Sequence, residues 1–317
     1  MSLLNHPTLQ RLRLPVIGSP LFIVSNPDLV IAQCKAGIVG SFPALNARPA
    51  PVLEEWLKRI TGELGEHDAK HPEAPAAPFA VNQIVHRSNA RLMTDLELCV
   101  KYRAPIIITS LGAREEVNAA AHCYGAVVLH DVINVTFARK AIEKGADGLI
   151  AVAAGAGGHA GTFSPFALVQ EIRDWFDGPL VLSGAIASGA AVLAAQAMGA
   201  DLAYVGSAFI ATEEANAKPA YKQMIVEGSA ADIIYTDQFS GVLGSYLRPS
   251  VRQAGYDPDN LNPAERTHMD FASESKAWRD IWSAGQGIGV IREVVPAADL
   301  VARLAREYAA ARARLPR

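Results

Sequence analysis

Eight short apolar runs recur along this 317-residue chain, and a helix-compatible segment separates most neighbours. They are PVIG at 15–18, IVGSF at 38–42, FAVN at 79–82, PIIIT at 105–109, AVVLH at 126–130, GLIAV at 148–152, PLVLS at 179–183 and LAYVG at 202–206. The runs are continuously apolar rather than alternating, which is the pattern of parallel strands covered on both faces. Parallel neighbours also need a long crossover between them, so strands and helices must take turns. Eight such units within about 200 residues predict an α/β fold, a (β/α)8 TIM barrel, over an open doubly wound sheet.

Local signals agree with that rhythm. Asn26 followed by Pro27 opens a helix over NPDLVIAQCKA, and Gly37 stops it. AIEKGADGLIAV at 141–152 and AAQAMGADLAYVG at 194–206 both run helix, Gly-Ala-Asp, strand, as successive copies of one αβ module. Past Thr212 the rhythm breaks. Residues 214–280 hold helical pieces, the turn-rich YDPDNLNPAE and no clean strand. The expected organisation is a barrel over 1–213, a helical cap over 214–280, and a segment over 281–317 that returns to the barrel. Its Ala/Arg/Leu-rich end reads as an amphipathic terminal helix with a solvated face.

Composition narrows the class. Half the residues are hydrophobic, and 29 basic residues stand against 32 acidic ones. A generic nucleic-acid binder would need clustered Lys and Arg, so none is expected. No apolar stretch approaches the ~20 residues that span a bilayer, and the first residues show no secretory pattern. The expectation is a cytoplasmic enzyme; its oligomeric state, a homo-oligomer included, stays open. Cys34, Cys99 and Cys123 are widely spaced without a CxxC pair and are expected as buried, reduced thiols.

Barrel chemistry gathers at the C-terminal ends of the strands. Strand seven runs into Ser183-Gly184-Ala185 and strand eight into Gly206-Ser207. Small residues let backbone N–H groups approach an anion, and the helix after strand seven would aim its positive end there, so these loops are expected to hold a phosphate. Strand six runs into AAGAGGHAG, where one histidine, His159, stands among four glycines and four alanines. With no bulky side chain to fill the space, a flat cofactor across the barrel mouth is expected, with His159 as general base or as donor to an anion. His130 ends strand five and faces either the mouth or the packing. His6, His67, His71 and His86 lie in polar or peripheral stretches, His122 reads as packing, and His268 carries no reading. HDAKHPE lacks the glutamate of HExxH and reads as a solvated loop, so no catalytic metal is expected. No GxGxxG follows the first strand, there is no Walker loop, and GQGIG at 285–289 has no strand before it.

Taken in order, PVIGSPLF, VNQ, GAGGHAG, LSGAIASG, YVGSAFIATEE and WSAGQGIG resemble the nitronate monooxygenases, also called 2-nitropropane dioxygenases. The resemblance covers nearly the whole chain. It implies an FMN-dependent TIM barrel with flavin across the mouth, phosphate at the last two strands and a helical substrate region late in the chain. Carried over by position, the cofactor-binding residues are Pro20, Leu21, Phe22, Asn82, His130, Gly157, Gly158, Ser183, Gly184, Ala185, Gly206, Ser207 and Gln286. His159 matches the family's catalytic base. The chain departs from the family at Ala153 and Gly155, where many members read Gly and Glu, and at Ala185, where they read Gly. After strand five some relatives carry a lysine near the flavin, whereas this chain has Asp131.

The resemblance implies oxidation of alkyl nitronates, or of neutral nitroalkanes, with oxygen to carbonyl compounds and nitrite. A small substrate is expected. Two other readings stand beside it. One is an NAD(P)H-dependent flavin reductase acting on quinones or enoyl thioesters. The other is a flavin-free, phosphate-binding lyase or isomerase on the same barrel.

Overall fold

The computed structural model describes residues 9, 12–261 and 281–315. His6 and His268 lie outside the described residues. The strands in chain order are β1 (Val16–Gly18), β2 (Gly40–Pro43), β3 (Phe79–Ile84), β4 (Ile106–Ser110), β5 (Val127–Val132), β6 (Gly148–Val152), β7 (Gly158–His159), β8 (Leu180–Ser183) and β9 (Leu202–Val205), followed by β10 (Ile233–Thr236) and β11 (Gly244–Leu247). Eight of them form one parallel sheet in the order β1-β9-β8-β6-β5-β4-β3-β2. A bridge between Ile17 and Val39 brings its two edges together, with Gly18 N donating to Val39 O at 2.8 Å. The result is the expected (β/α)8 TIM barrel. The two-residue β7 lies outside it, so the seventh and eighth barrel strands are β8 and β9.

The apolar runs have two separate destinations. Ile17, Ile106, Ile108, Leu129, Ile150 and Val181 fill the barrel interior. Their neighbours Val16, Val81, Ile107, Val128, Leu149 and Leu182 point outward and pack under the helices. Those helices are α1 (Pro27–Lys35), α2 (Val52–Lys70), α3 (Leu92–Lys101), α4 (Glu115–His122), α5 (Val135–Glu143), α6 (Pro165–Arg173) and α7 (Gly189–Met198), with α8 (Ser207–Ile210) closing the eighth unit. Asn26 Oδ1 accepts Leu29 N at 2.9 Å and caps α1, with Pro27 in its first turn. The two Gly-Ala-Asp copies do the same work. Gly145 and Gly199 take positive φ after their helices, while Asp147 and Asp201 accept the amides of Val128 and Leu180 at 2.7 and 2.9 Å.

Several expectations are corrected. Residues 214–280 contain α9 (Pro219–Glu227) and α10 (Arg248–Gln253) but also β10 and β11, which pair antiparallel with each other, β11 pairing in turn with β7. The strands were missed because the stretch lacks the barrel's apolar repeat. Cys34 and Cys99 are buried, but Cys123, just past the end of α4, is exposed. His122 is not packing: its Nε2 lies 2.9 Å from Asp147 Oδ2 near the surface. α2 continues to Lys70, so His67 sits in its last turn rather than in a loop.

The C-terminal helix α11 (Ala297–Arg314) buries Leu300, Val301 and Leu304 against the barrel. It also takes over the N-terminus of α7. Glu307 Oε2 accepts Gly189 N at 2.8 Å, and a Cβ on Gly189 would stand 2.1 Å from Leu304 O. A carboxylate therefore already takes one N–H at the positive end of α7. Among the described residues no helix is long and apolar enough to cross a membrane.

Candidate active site

A cavity of about 1170 Å³ opens at the C-terminal ends of the barrel strands. Every proposed site residue except Gln286 borders it. Gln286 lies just behind: its amide donates to Gly155 O at 2.9 Å, and Gly285 and Gly287 on either side reach the cavity. The GQGIG stretch is thus a tight turn folded back onto the histidine loop.

The glycines serve close backbone packing more than open space. Gly155 has φ +87°, and a Cβ there would stand 3.1 Å from Ala185 Cβ. A Cβ on Gly157 would lie 2.8 Å from Gly285 N, and one on Gly285 would lie 2.6 Å from Gly155 O. Three loops meet here backbone to backbone, which only residues without side chains permit. Gly158 alone among the loop's glycines faces nothing within 4 Å.

His159 is placed by the late segment. In β7 it pairs with Gly244 of β11, and Gly158 pairs with Ser245. His159 Nε2 lies 3.1 Å from Ser240 Oγ, which itself donates to Val242 O at 2.9 Å. Ser240 Oγ also stands 3.4 Å from Tyr246 OH, so the serine ties the imidazole to β11. Tyr235 OH donates to Ala160 O next to it. Burial pushes the His159 pKa down to about 4, so the ring is neutral near pH 7.

His130 and Asp131 part company. Successive strand residues face opposite sides. His130 borders the cavity at the end of β5, but its Nδ1 lies 2.6 Å from Thr109 Oγ1, and burial lowers its pKa to about 4. Asp131 has the parity of Leu129 and faces the interior. Ser110 Oγ donates to its Oδ2 at 2.5 Å, and Asn82 Nδ2 donates to Ser110 Oγ at 2.7 Å. Burial raises the Asp131 pKa to about 6.

At the ends of β8 and β9, Ser183, Gly184, Gly206 and Ser207 bring no charge of their own. Ser207 Oγ accepts Gly285 N at 2.8 Å and ties the late turn to the eighth barrel strand. Tyr221 and Trp282 stack at 4.9 Å on another wall, and Ile133, Phe137 and Leu243 leave an apolar, partly exposed rim.

Ser110, Tyr204 and Ser240 were not found from the sequence. Strand parity could have placed Ser110 and Tyr204 inside, each two residues beyond an interior Ile108 or Leu202. Ser240 carries no such signal.

Comparison with known proteins agrees with this architecture. The chain is 27% identical to the nitronate monooxygenase of Paraburkholderia phytofirmans, over 92% of each chain. Its structure resembles the nitroalkane oxidase of Streptomyces ansochromogenes, with a TM-score of 0.79 and 26% identity over 97% of this chain and 99% of that one. FabK of Thermotoga maritima shares the fold, with a TM-score of 0.76 and 22% identity over 96% of both chains. The family model for nitronate monooxygenase matches residues 7–307, the span that contains the barrel, the histidine loop and the strands that hold it. This chain belongs to the nitronate monooxygenase family.

Proposed function

We propose that the chain is an FMN-dependent oxidoreductase that converts alkyl nitronates and oxygen to carbonyl compounds and nitrite. The observation that carries the reading is His159. It is a neutral imidazole held over a large cavity by a β-ladder and a serine, with an apolar rim beside it. The residues present fit a flavin: the cavity sits at the strand ends, uncharged Gly and Ser residues border one side, and two polar atoms shut off from water, Asp131 Oδ1 and Tyr204 OH, lack a protein partner. Gly157, Gly158, Pro20, Leu21, Phe22 and Asn82 would border the ring system. Ser183, Gly184, Ala185, Gly206 and Ser207 would receive a single terminal phosphate, which favours FMN over FAD.

The bound flavin would supply electron acceptance from the nitronate and transfer to oxygen. The chain's own residues supply the rest. The His159 imidazole takes the α-proton of a neutral nitroalkane, and the protonated ring then faces the anion it has produced. Ser240, 3.1 Å from Nε2, keeps the ring in one orientation from turnover to turnover. Ile133, Phe137 and Leu243 cover the alkyl part of the substrate and exclude water.

The test uses the purified protein. Heat-released pigment should run as FMN on chromatography, and FAD would overturn the cofactor assignment. Under anaerobic conditions ethyl nitronate should bleach the bound pigment. Bleaching by NADH or NADPH and not by the nitronate would move the function to a flavin reductase acting on quinones or enoyl thioesters. A protein that stays colourless after incubation with FMN would point to the flavin-free reading.

A further inference from the structure

Where the barrel interior meets the cavity, a polar group carries two atoms to which the reading above assigns no contact. Asn82 on β3, Ser110 on β4, Asp131 on β5 and Tyr204 on β9 all have interior parity and all border the cavity. Their protons run in one direction. Asn82 Nδ2 donates to Ile108 O at 3.2 Å and to Ser110 Oγ at 2.7 Å. The serine therefore accepts from the amide and gives its own proton to Asp131 Oδ2 at 2.5 Å. That chain orients the carboxyl and stops there. Asp131 Oδ1 and Tyr204 OH are both buried and have no hydrogen-bond partner. Unmet polar atoms in an interior are rare, and two that border one cavity call for a ligand that meets them.

We propose that Asp131 Oδ1 and Tyr204 OH form a two-point hydrogen-bonding subsite on the cavity floor, taken by the carbonyl-bearing polar edge of the flavin ring. The inference rests on the flavin reading above and assigns two residues to it. Both groups act as donors. The phenol has only its O–H to offer to a carbonyl oxygen, and burial keeps it un-ionised. Asp131 already receives a donor on Oδ2, so the carboxyl proton belongs on Oδ1. Burial raises its pKa to about 6, and a carbonyl accepting from it would raise it further. The titratable groups around Asp131 do not compete for that proton. Tyr204 is held neutral by burial, and the nearby Asp131 carboxyl pushes its pKa further up. His130, next along β5, is turned to Thr109, and His159 lies out on β7, both neutral near pH 7. An acid at this position makes the hold on the cofactor depend on a proton.

The experiment follows flavin release from the yellow holoprotein by the rise in free-flavin fluorescence after dilution. One hydrogen bond is worth roughly a three- to tenfold change in release. Release from the wild type should quicken by about that factor between pH 6 and pH 8 as the carboxyl loses its proton. Asp131→Asn keeps the shape and a donor, so its release should be independent of pH over this range. Asp131→Leu and Tyr204→Phe should each release flavin about three- to tenfold faster at pH 6, with a shifted visible band. Release and spectra within twofold of the wild type in both variants would show that water satisfies the two atoms and would overturn the subsite while leaving the flavin assignment intact. A wild type that takes up no flavin would overturn both.

Discussion

Ser240 Oγ lies 3.1 Å from His159 Nε2 across 81 residues of chain, so the late segment positions the histidine that follows the sixth barrel strand. A neutral nitroalkane must lose its α-proton before it can be oxidised, whereas a preformed nitronate has already lost it. His159→Asn should therefore lose at least about a hundredfold in kcat/KM on nitroethane, the lower end of general-base contributions. The loss on ethyl nitronate should be clearly smaller, and the pigment should be retained. Equal losses on both forms would make His159 a binding residue. Ser240→Ala should show the same split at about threefold to tenfold, the worth of one hydrogen bond.

Gly184 and Gly206 separate backbone strain from charge at the phosphate end. Gly184 has φ +144°, and a Cβ there would stand 2.8 Å from Ala154 O, so any side chain distorts the loop. A Cβ on Gly206 would meet only ordinary contacts, Leu21 and Ser19 at 3.5 Å. Gly206→Asp should fold with a melting temperature near that of the wild type and emerge largely colourless, because its carboxylate repels the phosphate. Gly184→Asp should lose pigment and stability together. Full yellow occupancy in Gly206→Asp would remove the phosphate from this end of the cavity.

Glu307 tests the contact at the start of α7. Its carboxylate serves the N-terminus of α7, and such interactions are worth about 0.5–1 kcal/mol. Glu307→Gln should lower the unfolding free energy by that amount in a urea melt and leave flavin content unchanged. A loss of flavin would mean that the end of α7 still acts on the cofactor.

His130 should make the fold acid-sensitive. Its folded pKa of about 4 lies below the ordinary 6.5 because burial disfavours the charged ring. Between those values the unfolded chain binds more protons, so stability is lost as pH falls from 6.5 toward 4. By pH 5 the loss from this group reaches about 2 kcal/mol. Urea midpoints at pH 7 and pH 5 should differ less in His130→Asn than in the wild type; an equal difference would remove His130 as the source. Asp131, raised to about 6, acts in the opposite sense in both proteins and cancels in the comparison.

Most of the barrel was legible because its signals are local. Each strand buries both faces, so each run is apolar throughout, and Asn26, Gly145 and Gly199 mark helix ends through their own backbone and side-chain bonds. β10 and β11 were not legible because they are short, lie outside the repeat and form by pairing with each other, with β11 also pairing with β7. The glycines of the histidine loop were visible, but their reason was not: they meet the backbone of 284–287, far along the chain.

The amino-acid sequence alone determined the strand count, the closed α/β architecture and the family, since periodicity and motif order are properties of neighbouring residues. Only the tertiary structure decided which groups share the cavity. It turned His130 to Thr109 and Asp131 to Ser110 through strand parity, and it paired the N-terminus of α7 with Glu307. It also placed Ser240 against His159, a contact set by distant segments packing together, which no stretch of the chain encodes by itself.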